Sequence, residues 1–356
     1  MMKQIARTID DRLLDQTIRR VRINARRLAN ASGTSTFSRT LEAWKRERHL
    51  PRQDFLFRTT NPRFIGGTTG RSGTRWLVRI LKAQFAGDPV VMDEIGVFVM
   101  ALLREAPYEY YQFGTDNAAE RREPYVDHFL RQMERYAFRR RNVYRAGMRG
   151  LVDYVPRRAI RLAGEDLRRD LRQLSGLEEI TQRFGDFYLH LLNYHAAVVH
   201  GGAASWINKE PPYGRHADEL MSMVPHARLI VLARDGRASA LSMYKRRWMA
   251  TTRECMSRWA VFSRMTADAL QRCPSEQVLL LRYEDLVRDF ETQLPRIHEF
   301  FGLPAPDFGR LYAIGDDSLK PQPASLDTWK REVSAADLQW FEREHGELMA
   351  RLGYTR

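Results

Sequence analysis

The sequence predicts an α/β protein built on a parallel β-sheet, with a helical insert. Short β-prone runs at residues 63–65, 228–233 and 278–283 alternate with stretches in which apolar residues recur every three or four positions. Strands that alternate with helices call for a parallel sheet, with ligands at the carboxyl ends of its strands. The last two runs are almost continuously apolar, which suits strands buried on both faces.

A glycine-rich turn follows the first of these strands. Its glycines are Gly66, Gly67, Gly70 and Gly73. The next helix has one apolar face, formed by Leu77, Ile80, Leu81 and Phe85. A strand, a glycine-rich loop and a helix N-terminus together point backbone N–H groups at one anion, and glycine lets the backbone approach a phosphate. The turn therefore predicts a phosphate-binding loop, although an ordinary strand-to-helix connection stays open.

This loop is similar to a P-loop without being a Walker A motif. The Walker A motif reads G-x-x-x-x-G-K-[ST]. Here the spacing from Gly66 to Gly70 is one residue short, and Arg71 stands where the motif has lysine. The loop therefore argues against a P-loop kinase, which stays an alternative.

The chain on either side of the loop divides into parts of different composition. Residues 1–50 form a basic amphipathic appendage, which fits a membrane or other anionic surface, or a helix packed on the main domain. A second strand is expected at residues 90–92, leading to Asp93. From about residue 97 to 200 the pattern is of long helices rich in Arg, Tyr and Leu. We interpret it as an insert that caps the site, within a main domain of residues 51–356.

The carboxyl-terminal half supplies the remaining elements of the sheet. Residues 206–212 are expected to form a short strand and a rigid loop, followed by a helix at about residues 216–223. Gly302 is expected to end the helix that follows the last strand, because glycine accepts the left-handed conformation there. Ser334, with Asp337 three residues later, is expected to start the final helix.

Composition narrows the class of protein. The 356 residues carry a formal net charge of +14, which favours an anionic ligand, an acidic acceptor, a nucleic acid or a membrane surface. Two cysteines, Cys255 and Cys273, indicate no disulfide framework and suit a reducing compartment, so we expect a cytoplasmic protein. No Cys/His cluster indicates a metal site, and we expect neither a membrane span nor a secretory signal.

Three side chains after the strand at residues 228–233 could hold a phosphate together. Arg234 follows the strand, and Ser242 and Arg246 are four residues apart on one face of the next helix. Two guanidiniums and a hydroxyl suit a phosphate dianion. A surface cluster of salt bridges with Asp235 would use the same residues, so the pattern alone leaves both readings open.

The loop resembles the 5′-phosphosulfate loop of the sulfotransferases that use 3′-phosphoadenosine 5′-phosphosulfate (PAPS), with the motif R-S-G-T-x-x-L or K-S-G-T-x-W. The residues that the resemblance assigns to the donor here are Gly70, Arg71, Ser72, Gly73, Thr74 and Arg75. It also implies the α/β sulfotransferase fold. The segment that begins at Arg234 resembles the family's 3′-phosphate motif, in the form R-D-G-R-A-S-x-x-S-M that tyrosylprotein sulfotransferases have. This implies that Arg234, Ser242 and Arg246 bind the 3′-phosphate.

Other segments resemble the same family. The run that contains Lys209 resembles N-K-D-P, which implies a catalytic role for that lysine. The run R-Y-E-D-L contains Tyr283, and the resemblance implies that this tyrosine lies by the adenine. Lys330 lies in a segment similar to one that folds over the 3′-phosphate, and Lys320 is a further candidate.

The resemblance covers residues 60–95 and 205–356, and leaves out the appendage and the insert. Tyrosylprotein sulfotransferases as usually met have a membrane anchor and disulfides, which we do not expect here, and a shorter insert. The cofactor therefore carries over from the resemblance, and the acceptor does not.

Sulfuryl transfer resembles phosphoryl transfer, so catalysis needs positioning, cations and a base. Arg71 suits the 5′-phosphosulfate, and Lys209 suits the oxygens that gain charge. Glu94, at the end of the second strand, is the expected base, with Asp93 as its rival. No metal is expected.

The sequence therefore predicts an enzyme that transfers a sulfuryl group from PAPS to a hydroxyl and releases 3′-phosphoadenosine 5′-phosphate (PAP). Peptide tyrosine, a sugar and a small alcohol or phenol are all open as acceptors. A nucleotide-dependent kinase and a non-catalytic binder of anions or nucleic acid are the alternatives, and we expect no nucleic-acid partner. The expected oligomeric state is a monomer or a homodimer.

Overall fold

The computed structural model describes part of the chain. The described residues are 59, 61–85, 89–93, 105–115, 119–143, 157–200 and 205–354. The predicted appendage at residues 1–50 and the predicted base Glu94 lie outside these ranges. The division of the chain at residue 50 therefore stays a prediction.

Five strands and thirteen α-helices lie in the described part of the chain. Strands β1 to β5 are Arg63–Gly67, Val90–Asp93, Trp206–Lys209, Arg228–Ala233 and Val278–Arg282. Helices α1 to α5 are Thr74–Gln84, Ala106–Thr115, Arg122–Val143, Arg157–Leu171 and Leu177–His200. Helices α6 to α9 are Ala217–Met223, Gly236–Lys245, Thr252–Leu270 and Tyr283–Arg288. Helices α10 to α13 are Phe290–Phe301, Phe308–Ala313, Trp329–Glu332 and Ala335–Arg351. Short 3₁₀ helices cover Ala119–Arg121, Pro211–His216 and Pro323–Ser325.

The five strands form one parallel sheet in the order β2-β3-β1-β4-β5. The chain moves from β1 past β3 to β2, and later from β3 past β1 to β4 and β5, so the direction of winding reverses around β1. In open parallel sheets, ligands bind outside the carboxyl ends of the strands at such a reversal. The topology therefore directs attention to the ends of β1, β3 and β4.

Each face of the sheet is covered by its own set of helices. Leu77 of α1 and Leu294 of α10 pack with Ile65 and Ile230 of the central strands in one buried cluster. The other cluster brings together helices α7, α8 and α13, and includes Trp259, which is fully buried. Apolar burial on both faces explains why the central strands read as continuous apolar runs. The predicted α/β class with a parallel sheet is confirmed.

Several local predictions are confirmed residue by residue. Leu77, Ile80 and Leu81 are fully buried, as the apolar face of α1 requires. Gly302 ends α10 in the left-handed conformation at φ 61°. Ser334 caps α13 by accepting a hydrogen bond from the backbone N–H of Asp337 at 3.1 Å.

The last strand is less buried than predicted. β5 pairs only with β4 and forms an edge of the sheet. Of its five residues, only Leu281 is buried, and the others are half-buried. An edge strand has a neighbour on one side only, and its leucine-rich sequence does not reveal this position. The prediction of a strand buried on both faces is therefore wrong for β5.

Most of the described residues of the insert are helical. Helices α2 to α5 fall between β2 and β3, and α5 packs against α4 through buried residues such as Phe184 and Leu167. Its exposed faces carry ion pairs, for example between Arg168 and Asp127 at 2.6 Å. The predicted helical character is confirmed, whereas the role of the insert as an acceptor cap stays a prediction.

Candidate active site

The loop between β1 and α1 folds tightly against the central strands. The backbone N–H of Thr68 donates to the carbonyl of Leu232 in β4 at 3.0 Å, so the loop leaves the sheet at the end of β1. Two residues have positive φ, Arg71 at 76° and Gly73 at 98°. Gly73 then accepts hydrogen bonds from the first turn of α1, including one from Leu77 N–H at 3.2 Å. The loop therefore curls over the N-terminus of the helix.

Two glycines are required by close contacts. A Cβ atom on Gly67 would overlap the hydroxyl of Ser72, and one on Gly73 would overlap the ring of Tyr283. Gly73 also needs glycine because of its positive φ. These contacts allow the loop to close on itself and on Tyr283 at once.

The loop contains three buried hydroxyls with no hydrogen-bond partner among the described residues. They belong to Thr68, Thr69 and Ser72, whose exposed fractions are 1%, 3% and 1%. The Nε atom of Arg234 beside the loop is buried and unpaired in the same sense. Buried polar atoms are nearly always paired, and each exception needs an explanation such as a bound group. Donors gathered at a glycine-rich loop are suited to a ligand rich in acceptor oxygens.

Arginine side chains converge on the same loop. The Nε atom of Arg71 donates to the hydroxyl of Ser242 in α7 at 3.0 Å. An Nη atom of Arg234 donates to the backbone carbonyl of Arg71 at 3.1 Å. Burial lowers the pKa of Arg71, and the nearby charges of Arg246, Arg234 and Arg75 lower it further. The positive charges that act on Arg71 favour an anionic ligand, because an anion would offset their repulsion.

Tyr283 completes one side of the cation cluster. Its ring lies under the guanidinium of Arg234 with 4.8 Å from the guanidinium carbon to the ring centroid. Burial raises the pKa of its hydroxyl, while the charge of Arg234 opposes that shift. The ring also meets Trp76 edge-to-face at 5.8 Å. An aromatic wall thus stands next to the cations and offers a face on which a planar ring could stack.

The alternative of a surface salt-bridge cluster around Asp235 does not describe this site. Asp235 accepts hydrogen bonds from the backbone N–H and the guanidinium of Arg237, at 2.8 and 2.7 Å, and so caps α7. Its own backbone N–H donates to Glu284 at 3.1 Å. The structure gives Asp235 no ion pair with Arg234. Asp235 therefore positions the start of α7 and leaves the charge of Arg234 available.

Lys209 lies at the end of β3, next to the loop. In the parallel register it is opposite Ile65 of β1 and Asp93 of β2. The side chain is 1% exposed, so the lysine is buried at the carboxyl edge of the sheet. The described part of β2 ends at Asp93, and Glu94 is the next residue. The sheet therefore brings the Lys209 backbone beside the end of the strand that leads to Glu94.

Some predicted donor residues are not joined to the cluster. The ammonium groups of Lys320 and Lys330 pair with Asp317 and Asp327, at 2.8 and 3.0 Å, on the protein surface. Within the described part of the chain, neither ammonium group forms a hydrogen bond or ion pair with the loop. Their assignment stays a prediction.

The sequence reasoning missed the hydroxyls of Thr68 and Thr69. Both residues lie between Gly67 and Gly70, inside the loop that the sequence singled out. Their position between the glycines of a candidate phosphate-binding loop is the feature of the sequence that could have identified them.

Two further properties concern metal and membrane. Among the described residues, no group of three or more His, Cys, Asp or Glu side chains is arranged to hold a metal ion. Within the same ranges, no helix combines the length and apolarity needed to cross a bilayer.

Comparison with known proteins identifies the class to which this fold and site belong. Residues 62–307 match the family model described as the sulfotransferase family, and the chain belongs to that family. Protein-tyrosine sulfotransferase A of Caenorhabditis elegans is 29% identical over 137 residues, which cover 36% of this chain and 35% of that protein. Protein-tyrosine sulfotransferase 1 of Danio rerio is 28% identical over 182 residues, covering 44% of this chain and 50% of that protein. The chain thus spans half or less of the length of these relatives.

A solved structure is also similar to this chain. The sulfotransferase domain from the Synechococcus PCC 7002 olefin synthase is 20% identical, with a TM-score of 0.46, and the alignment covers 84% of this chain and 97% of that domain. The resemblance inferred from the loop motif is confirmed by the family match.

Proposed function

We propose that this protein is a sulfotransferase that moves a sulfuryl group from PAPS to a hydroxyl of its acceptor. The observation that carries the proposal is the convergence of four arginines and three unpaired buried hydroxyls on one glycine-rich loop. PAPS carries a phosphosulfate and a separate phosphate. Their oxygens would accept the hydrogen bonds that these arginines and hydroxyls can donate. Membership of the sulfotransferase family supports a sulfuryl group as the group that is transferred.

The reaction breaks the bond between sulfur and the oxygen that bridges to the 5′-phosphate, and forms a bond between sulfur and the acceptor oxygen. PAP leaves with the bridging oxygen, and the acceptor proton goes to a base. The donor supplies an activated sulfuryl group, and the protein supplies positioning and positive charge. Arg71 and the buried hydroxyls of the loop suit the phosphosulfate, because they bring a positive charge and unpaired hydrogen-bond donors to one glycine-rich loop.

The second phosphate of the donor fits the side of the loop next to α7. The charges of Arg234 and Arg246 both lower the pKa of Arg71, and the hydroxyl of Ser242 accepts a hydrogen bond from Arg71. These three residues would therefore hold the 3′-phosphate. Tyr283 offers an aromatic face beside Arg234, which suits the adenine.

Lys209 and Glu94 are proposed to serve the acceptor side. A lysine at the carboxyl end of β3 can stabilise the charge that develops on the sulfuryl oxygens. Glu94, which follows β2, would accept the proton of the acceptor hydroxyl. The support for Glu94 is its place in the sequence directly after Asp93, which is opposite Lys209 in the sheet.

The acceptor is proposed to carry a hydroxyl, and peptide tyrosine is one candidate. The two relatives named above are protein-tyrosine sulfotransferases, which supports that candidate without excluding a sugar or a small phenol. A cytoplasmic location, contact of the basic N-terminal appendage with an anionic surface and a monomeric or homodimeric state stay predictions.

The test compares nucleotides by thermal shift and calorimetry. PAP should stabilise the protein more than AMP, because AMP lacks the 3′-phosphate. Stabilisation by ATP with Mg²⁺ above that by PAP would indicate a kinase, and equal stabilisation by PAP and AMP would contradict the proposed 3′-phosphate site. Binding to DNA or RNA with a steep salt dependence, and no preference for PAP, would indicate a nucleic-acid binder. Transfer of ³⁵S from labelled PAPS to a panel of hydroxyl compounds then tests the reaction.

A further inference from the structure

Trp248 lies directly against the phosphate loop. A Cβ atom on Gly70 would come within 2.6 Å of its Cη2 atom and 2.7 Å of its Cζ3 atom. The six-membered ring of the indole therefore packs on the α-carbon of Gly70. Yet 46% of Trp248 is exposed, so the ring is not held there by burial in a core. A large apolar side chain that is half exposed and touches a ligand-binding loop calls for an explanation.

A tight turn after α7 presents this tryptophan to the loop. The backbone N–H of Arg247 donates to the carbonyl of Tyr244 at 2.8 Å, and that of Trp248 donates to Met243 at 3.2 Å. Arg247 has φ 57°, the left-handed conformation that side chains disfavour. The chain thus reverses at Arg247 and returns Trp248 toward the loop.

The far end of the turn is also fixed. Helix α8 begins with a capping box, in which Thr251 accepts from the backbone N–H of Glu254. The carboxylate of Glu254 accepts from the N–H groups of Ala250 and Thr251, at 2.9 and 3.0 Å. Both ends of the turn are therefore anchored, and Trp248 lies between them.

Two strained backbone positions meet at this contact. Among the non-glycine residues that the structure describes, Arg71 and Arg247 are the ones with positive φ. Arg71 follows Gly70 in the loop, and Arg247 precedes Trp248 in the turn. Such conformations persist only where surrounding contacts hold them, and they concentrate at functional sites. The Gly70–Trp248 contact lies between the two.

Helix α7 and the turn that follows it contact the loop at two adjacent residues. Ser242 of α7 accepts a hydrogen bond from Arg71, and Trp248, just after α7, packs on Gly70. The outer side of the turn lines an open cleft of about 660 Å³. Removal of the indole would therefore open the loop to solvent rather than collapse a core.

We propose that Trp248 is a positioning residue that holds the phosphate loop, through Gly70, in its anion-binding conformation. The inference rests on the proposed function, because it assumes that this loop binds PAPS and PAP. It adds a contact from the turn after α7 that fixes the loop without touching the donor. The readout is thus PAP affinity, which does not require an acceptor.

The first experiment compares Trp248→Ala, Trp248→Phe and the control Tyr244→Ala by calorimetry with PAP. Tyr244 is 44% exposed and lines the same cleft, whereas the atoms nearest to a Cβ on Gly70 all belong to Trp248. We expect Trp248→Ala to weaken PAP binding about tenfold, the loss of about 1.4 kcal/mol. Trp248→Phe should restore most of the affinity because it keeps a ring, and Tyr244→Ala should bind as the wild type does.

The second experiment uses the steric complement of the contact. Gly70 does not have a positive φ, so alanine fits its backbone and the indole is the obstacle to a Cβ atom. Gly70→Ala alone should weaken PAP binding by displacing the loop. In Gly70→Ala/Trp248→Ala the overlap is gone, so the second substitution should not add its own loss and should recover part of the first. Strictly additive losses would overturn the proposal, because independent sites add.

The outcomes separate this inference from the proposed function. If the wild type does not bind PAP, the proposed function fails. If it binds PAP and Trp248→Ala binds equally well, only the role of Trp248 fails. A rise in acceptor KM with unchanged PAP affinity would also overturn the role, since Trp248 would then contact the acceptor instead of the loop.

Discussion

Replacement of Arg234 by glutamine should erase the preference for PAP over AMP. Arg234 uses one Nη atom on the carbonyl of Arg71, while its buried Nε atom has no partner among the described residues. One hydrogen bond to a charged group contributes about 1.5–3 kcal/mol. At about 1.4 kcal/mol per tenfold, the Kd for PAP should rise between about tenfold and 150-fold. AMP has no 3′-phosphate, so its Kd should stay within about threefold of the wild-type value.

Calorimetry with both nucleotides measures this difference directly. Arg343→Gln is the matched control, because it removes the same charge from an arginine that pairs with Glu344 on the surface, at 2.9 Å. The unliganded Arg234→Gln protein should melt close to the wild type. It loses the contact with Tyr283 but also the repulsion with Arg71. A variant that still prefers PAP, or that weakens PAP and AMP equally, would refute the placement of Arg234 at the 3′-phosphate.

Three other predictions test the acceptor side, the fold and the insert. Glu94→Gln should lower kcat by about 10²–10⁴-fold with PAP affinity unchanged, because a base acts on the acceptor; steady-state kinetics showing full activity would reassign the base. Burial raises the pKa of Glu284 above its ordinary 4.5, so the free energy of unfolding should fall as pH rises through that raised pKa. Urea titrations at pH 5 and 7.5 should show a smaller difference in the free energy of unfolding for Glu284→Gln than for the wild type. An equal difference would contradict the raised pKa of Glu284. Charge reversal at residues 139–141 should raise the acceptor KM while PAP affinity stays constant; equal loss of both would indicate a general electrostatic role.

The phosphate loop could be predicted from the sequence because its determinants are local. Gly67 is needed for a close contact within the loop and Gly73 for its positive φ, and both stand in the glycine-rich turn itself. The strand before the loop and the helix after it follow from apolar periodicity over a few residues. Local pattern thus placed Arg71 at the centre of the site.

Features that depend on distant residues could not be predicted in this way. Trp248 and Gly70 are in contact although they are 178 positions apart in the chain. The turn at Arg247 brings them together. The pairing of Asp235 with Arg237, rather than Arg234, is set by the cap of α7. Similarly, β5 forms an edge of the sheet, and its leucine-rich sequence does not encode that position.

The charges of the arginines near Arg71 repel one another, so we expect the protein to be sensitive to the anions of its buffer. Their repulsion raises the free energy of the unliganded fold, and any small oxyanion that enters the loop relieves part of it. Inorganic phosphate or sulfate should therefore raise the melting temperature and, by competition, weaken the apparent affinity for PAP. A nucleotide affinity measured in phosphate buffer would differ from one measured in chloride at equal ionic strength. We expect free phosphate inside a cell to compete with the donor in the same way.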